Sequence, residues 1–374
     1  MLLNRRRFSL AAGAAATLGG FGIARAQDTP LVLGQSAPFT GPAAQLGIQF
    51  HQGAKLFLDQ YNAQPGRRNV VIKNLDDGYE PDRCAANTQK LIEEDVFALF
   101  GYIGTPTSLA ALPLAVKDKV PFVAPFTGAM SLREPFQKNV FHLRASYNDE
   151  TALMVKQLTH LGLKKIAVFY QNDAYGKAGL DGVTLALGEQ QLKPVALATV
   201  ERNSADVAQA VKTIVAARPD AVVQVGAYKA CAAFIREARK AGYGGTFFNM
   251  SFVGTQALAD ELGKDAAGVM VTQVVPSPYN QANALAREFT EAVRKVNGAS
   301  ANFSSLEGYL AAKVLVEGLR KAPGKPTRDS LIAGLESIDR QQFGGFEVSF
   351  SARNHVGSKF VELSMLTGDG RVRT

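Results

Sequence analysis

The stretch "ALFGYIGTPTSLAALPLA", Ala98 to Ala115, runs from a short apolar segment through two glycines and a Thr-Pro-Thr-Ser cluster into a helical pattern. It predicts a strand over Phe97 to Phe100, a tight loop, and a helix with Thr105 as N-cap and Pro106 in its first turn. A loop at that place offers unpaired backbone N–H groups, the hydroxyls of Thr105, Thr107 and Ser108, and the positive end of the helix dipole. That combination suits a small anion such as a carboxylate. A capped helix start is common by itself, so the surrounding chain has to decide whether this one binds anything.

Outward from this stretch, short β-rich runs alternate with helical-period segments. "LVLGQS", a helix near Ala44 to Asn62, "VVIKNL", a helix near Asp82 to Glu94, "FALFG", the helix from Pro106 and "PFVAPF" form one series. "KIAVFY", a helix near Lys177 to Gln190, "VALATV", a helix near Ala205 to Ala217, "AVVQVG", a helix near Lys229 to Ala241 and "TFFNMSF" form a second, roughly 125 to 135 residues further on. The pattern predicts an α/β fold of two doubly wound parallel-sheet lobes. The loops after the first, third and fourth strands of each series ("SAPFTGPAAQLG", "GYIGTPTS", "PFTGAM"; "QNDAYG", "GAYKA", "SFVGTQ") lie at carboxyl ends of parallel strands, where open α/β sheets bind ligands. Facing each other, they enclose one small molecule. "VPSPYN" (Val275 to Asn280) reads as a crossover between lobes, followed by three helices and a β-rich end.

The first 26 residues differ in kind. Arg5, Arg6, Arg7 and Phe8 precede an uncharged Ala/Gly-rich run to Ala24 and an A-x-A pattern, Ala24-Arg25-Ala26. This resembles a twin-arginine export signal cleaved after Ala26. The run is too short and too weakly apolar for a membrane span. The whole chain carries a net charge of +8, and the signal takes away four arginines and no acid, which leaves +4. The remaining basic residues are dispersed, with Arg67-Arg68 and Lys164-Lys165 at predicted turns, so a nucleic-acid partner is not expected. The two cysteines, Cys84 and Cys231, each sit among apolar neighbours and read as small buried residues. The four histidines form no metal-ligand spacing, and no metal or cofactor is expected. A hydrolase would need a G-x-S-x-G elbow, an HExxH helix or a Walker A loop, none of which occurs in the chain. A ligand sensor of the same fold is the other alternative.

Taken together, "FTGPAAQLGIQFHQGAKLFLDQYNA", "GYIGTPTSLAALP", "VPFVAPFTGA", "YQNDAYGKAGLDGV", "FIREARKAGY" and "LEGYLAAKVLVEGL" resemble the type I periplasmic solute-binding receptors of ABC importers, the Leu/Ile/Val-binding protein-like group. The resemblance implies two lobes joined by a three-crossing hinge, residues 28–145 with 278–336 and residues 146–277 with 337–374. It also implies a periplasmic monomer that captures a small-molecule ligand and delivers it to ABC permease subunits in the inner membrane, without catalysis. By position, the family's carboxylate pocket falls on Thr105, Thr107, Phe126, Thr127 and Gly128, with Gln45 and Leu46 on the first loop, and its ligand-facing tyrosines fall on Tyr175 and Tyr228. Two positions depart: Leu46 stands on the first-lobe loop where amino-acid binders can carry an aromatic residue, which reshapes the expected side-chain pocket, and the other bears on the ammonium. Amino-acid binders of the group place an acid on the second lobe's fourth loop to pair with the ligand ammonium, and here Phe252 stands there. Because a buried ammonium without a partner is costly, a carboxylate, amide or aromatic acid lacking an α-amino group becomes a candidate ligand beside a branched-chain amino acid, and the sequence leaves the two open.

The signal reading predicts that Arg5→Lys with Arg6→Lys leaves uncleaved precursor in the cytoplasm. Fractionation and blotting measure this, and normal export of the double variant contradicts it.

Overall fold

The computed structural model describes residues 29–374, so the export-signal reading of residues 1–26 lies outside the described residues. Both predicted series fold on one plan. In the first, β1 (Leu31–Ala37), β2 (Val70–Asp76), β3 (Ala98–Phe100), β4 (Phe122–Val123) and β5 (Val140–Phe141) form a wholly parallel sheet of order β2-β1-β3-β4-β5. β1, an interior strand between β2 and β3, is buried at every position but Val32, as a strand covered on both faces must be. Helices α1 (Ala44–Asn62), α2 (Pro81–Glu93) and α3 (Thr105–Lys117) link the strands.

The chain then crosses to α4 (Tyr147–His160), a helix absent from the predicted series. Its start is fixed by a reciprocal capping box, in which Ser146 accepts from the Asp149 N–H while the Asp149 carboxylate accepts from the Ser146 N–H. The second sheet repeats the first: β6 (Ile166–Gln171), β7 (Leu197–Val200), β8 (Ala221–Val225), β9 (Thr246–Asn249) and β10 (Met270–Gln273) stand in the order β7-β6-β8-β9-β10, all parallel. Helices α5 (Ala174–Glu189), α6 (Ala208–Ala216), α7 (Tyr228–Lys240) and α8 (Thr255–Leu262) cover it. α5 begins three residues before the predicted Lys177 because the Asp173 carboxylate accepts from the N–H groups of Tyr175 and Gly176.

After β10 the chain returns to the first lobe as α9 (Ala284–Arg294), α10 (Phe303–Lys321) and α11 (Arg328–Glu336). α10 lies on α1 at backbone contact. A Cβ on Gly53 would stand 1.7 Å from the Ser305 carbonyl oxygen, and one on Gly308 would stand 2.0 Å from that of Phe50. Next comes the antiparallel hairpin of β11 (Gln341–Phe343) and β12 (Phe346–Val348), which is held by contacts to α9 and to the segment after β5. The Leu285 N–H donates to Gly344 O (3.0 Å), and the Gly357 N–H donates to His142 O (2.7 Å). Gly344 and Gly345, both at positive φ, turn the chain back before it can leave. Only then does it rejoin the second sheet, as antiparallel β13 (Glu362–Leu366) and β14 (Val372–Arg373) on the β10 edge.

Cys84 on α2 and Cys231 on α7 are buried, unpaired and in different lobes. Two free thiols should therefore titrate with a disulfide reagent after unfolding in guanidinium without reductant, and a count of zero would refute this placement.

Candidate functional site

In a parallel sheet of order 2-1-3-4-5 the chain reverses its winding between the first and third strands, and the crevice at the carboxyl ends there is the natural ligand site. In the first lobe this is where α3 begins. Its N-cap is Gly104 and not the expected Thr105, with φ of +98° and no side-chain cap. The position has to be glycine, because a Cβ would meet the Tyr79 ring at 2.3 Å. The displaced Thr105 turns its hydroxyl to that of Thr127 (2.6 Å), which also accepts from the Ala129 N–H (3.2 Å). Thr107 does not serve as expected, because its hydroxyl donates back to Ile103 O and Gly104 O within its own turn. Ser108, one residue on, is buried and its hydroxyl has no partner.

The other lobe meets this loop with aromatic rings. Phe252 packs against Tyr175 (centroids 4.5 Å apart), Phe126 (5.9 Å) and Tyr79 (5.8 Å), and Tyr175 packs against Tyr147 (5.5 Å). All five are buried, and the rings come from both lobes, so the cleft is closed. Gly128 is present because Tyr147 passes over it, where a Cβ would lie 2.5 Å from the ring. Leu46 is buried and reaches across the cleft to Gly254, where a Cβ would lie 2.4 Å from its Cδ2. Gln45 is exposed at the rim.

Of the residues expected by position, Thr105, Phe126, Thr127, Gly128, Tyr175 and Phe252 thus converge, Tyr228, Gln45 and Leu46 lie at the cleft margin, and Thr107 is used internally. Tyr79, Tyr147 and Arg202 come in addition. Tyr79 had a signal, since "DDGYE" follows β2 at the same carboxyl edge. The signal for Tyr147 was the S-x-x-D capping pattern of α4.

Two acids, Asp173 and Glu307, could in principle have replaced the missing partner for an ammonium, and both are already committed. Glu307 accepts from Arg144 Nε (2.8 Å) and Nη2 (2.7 Å). Asp173 caps α5 and accepts from Gln171 (2.6 Å) and Arg202 (3.3 Å). Glu150, buried, takes the Ser251 N–H (2.8 Å), the Ser251 hydroxyl (2.9 Å) and the Thr272 hydroxyl, while burial pushes its carboxyl up. Asp77 takes the Ser36 hydroxyl (2.8 Å) and the Tyr79 N–H (2.8 Å), and burial raises it to about 6. The hydroxyls are in the opposite condition. Those of Ser108, Tyr147 and Tyr175 are buried and have no partner among the described residues. A polar latch spans the rim beside them. Arg202 of the second lobe bridges Glu80 (2.8 Å) and Asp173, and Asn203 donates to Gly78 O (3.0 Å) and Glu80 (2.7 Å).

A family model described as periplasmic binding protein matches residues 30–369. The Leu/Ile/Val-binding protein homolog 7 of Brucella suis is 26% identical over 340 residues, covering 84% of this chain and 82% of that one. A crystal structure of a possible leucine/isoleucine/valine-binding protein from Rhodopirellula baltica aligns at 34% identity with a TM-score of 0.89, covering 93% of this chain and 96% of that one. A Rhodopseudomonas palustris solute-binding protein of an ABC transporter, solved in complex with benzoate, shares the fold at 21% identity and a TM-score of 0.82, covering 92% and 95%. The chain belongs to the periplasmic binding protein family, in its type I, Leu/Ile/Val-binding protein-like branch, and its role is solute binding.

The latch gives a kinetic expectation. A partly exposed ion pair contributes about 0.2–1 kcal/mol, so Arg202→Ala should speed ligand release up to about fivefold and flatten its salt dependence. Stopped-flow release at low and high salt measures both, and an unchanged rate and slope would show that the pair does not hold the lobes together.

Proposed function

We propose that this protein is the periplasmic receptor of an ABC importer, acting as a monomer, and that it closes on a small carboxylate without an α-ammonium, with an aromatic or branched aliphatic body, for delivery to an inner-membrane permease. One observation carries the ligand class: the cleft holds buried hydroxyls without acceptors and no carboxylate without donors. A ligand carboxylate brings acceptor oxygens to those hydroxyls and to the uncapped start of α3. Its apolar body lies against Tyr79, Phe126, Tyr175 and Phe252, whose rings supply contact area at little entropic cost. An ammonium would be stripped of water opposite Phe252, at a cost of several kcal/mol, roughly the gain from burying several methylenes. No described helix is long and apolar enough to cross a membrane, which fits an exported receptor.

The names of the relatives favour a branched-chain amino acid, and the two readings separate in one experiment. Protein freed of retained solute by unfolding and refolding is titrated calorimetrically with benzoate, phenylacetate and 4-methylpentanoate, and with leucine, isoleucine and valine. One of the free acids should bind more tightly than every amino acid. Sub-micromolar leucine binding with all three free acids inert would restore the amino-acid assignment.

A further inference from the structure

Tyr147 belongs to none of the six loops expected to bind. It opens α4, directly after the first crossing between the lobes. Its backbone N–H donates to Gly128 O (2.8 Å), its ring fills the space that Gly128 leaves, and its other face meets Tyr175. The ring is therefore fixed against loops of both lobes, and its hydroxyl has no partner although it is fully buried. Thr127, whose hydroxyl is shared with Thr105, and the charge of Arg144 favour the ionised phenol, which burial and the neighbouring Glu150 carboxylate oppose. A hydroxyl placed there costs stability unless something accepts its proton. The one acid near it, Glu150, is already taken by Ser251 and Thr272.

We propose that Tyr147 is a ligand-binding residue whose hydroxyl donates to the ligand carboxylate beside Thr127, so that the first crossing itself forms part of the site. This rests on the reading above that an anionic oxygen occupies this end of the cleft. It also gives the ligand a direct hold on the hinge: the residue that starts α4 touches the bound molecule, the first-lobe loop at Gly128 and the second-lobe loop at Tyr175.

Tyr147→Phe removes the hydroxyl and keeps the ring, and the two roles a tyrosine could have here move the measurements in opposite directions. For a ligand donor, the melting temperature of ligand-free protein stays level or rises, since an unsatisfied polar atom is gone. Affinity for the tightest-binding member of the panel, leucine included, falls about ten- to a hundredfold, the scale of a hydrogen bond to a charged group. The neutral amide of the same compound loses less than threefold. A variant that binds the carboxylate as the wild type does overturns the proposal, and so does one that loses thermal stability while acid and amide weaken equally. If leucine binds and the free acids do not, the ligand class above fails while the loss of leucine affinity in Tyr147→Phe still decides the role of Tyr147. A wild type that binds no carboxylate of either kind overturns both.

Discussion

The Arg144–Glu307 pair ties the first crossing to α10, and the loop at Phe126 leans on it. Both charges are out of water, with side-chain exposures of 1% and 5%. Desolvation on that scale is offset only by good geometry, and here the guanidinium fork meets the carboxylate through two parallel bonds while its flat face lies 4.0 Å from the Phe126 ring. Either partner alone would be a stranded charge, at a cost of about 3–5 kcal/mol. Arg133 extends the arrangement. Its guanidinium donates to the carbonyls of Thr127 and Ala129 in the loop and of Arg144 and Ala145 in the crossing, with no carboxylate partner, and burial lowers its pKa to about 10. Loop and crossing are thus fastened to the same two cations, and the positions of Phe126, Thr127 and Tyr147 follow from that.

Against this rigid floor, the polar groups of the cleft sort themselves by need. The acids are saturated by hydroxyls, backbone N–H groups and arginines, while several hydroxyls are left with protons and no acceptor. On the ligand class proposed above, surplus donors in a buried site favour a ligand rich in acceptors, and the aromatic walls favour a body with flat or branched apolar faces. Selectivity of this kind comes less from an added attraction than from the penalty laid on a molecule that brings further donors of its own.

Much of this was legible in the chain. The strand and helix alternation predicted both sheets, because fully buried parallel strands leave continuous apolar runs such as "AVVQVG", and α1 has the bounds its periodicity predicts. At the start of α3 local backbone geometry overrode the reading. Thr105 looked like an N-cap by residue type, but the turn needs a left-handed residue with no Cβ beneath Tyr79, which moves the cap to Gly104 and redirects two threonine hydroxyls. The packing of the hairpin at Gly344 and Gly345 on the start of α9 is a contact between distant segments that no local pattern records. Tyr147 was hidden for a related reason: its helix lies between the two repeats, where the repeat offers no counterpart to compare.

Neither lobe is a continuous piece of chain. The α1 face stays uncovered until α10 is made, some 240 residues later, and the edge of β10 stays open until β13 arrives near the C-terminus. Loop-closure entropy for such distant pairings has to be met before they return any stabilisation, which makes folding slow and leaves apolar faces and a bare strand edge exposed in incomplete chains. A nascent chain therefore cannot complete one lobe and use it as a template for the other. β13 and β14 finish the second sheet, so its folding waits on segments made nearly a hundred residues after β10.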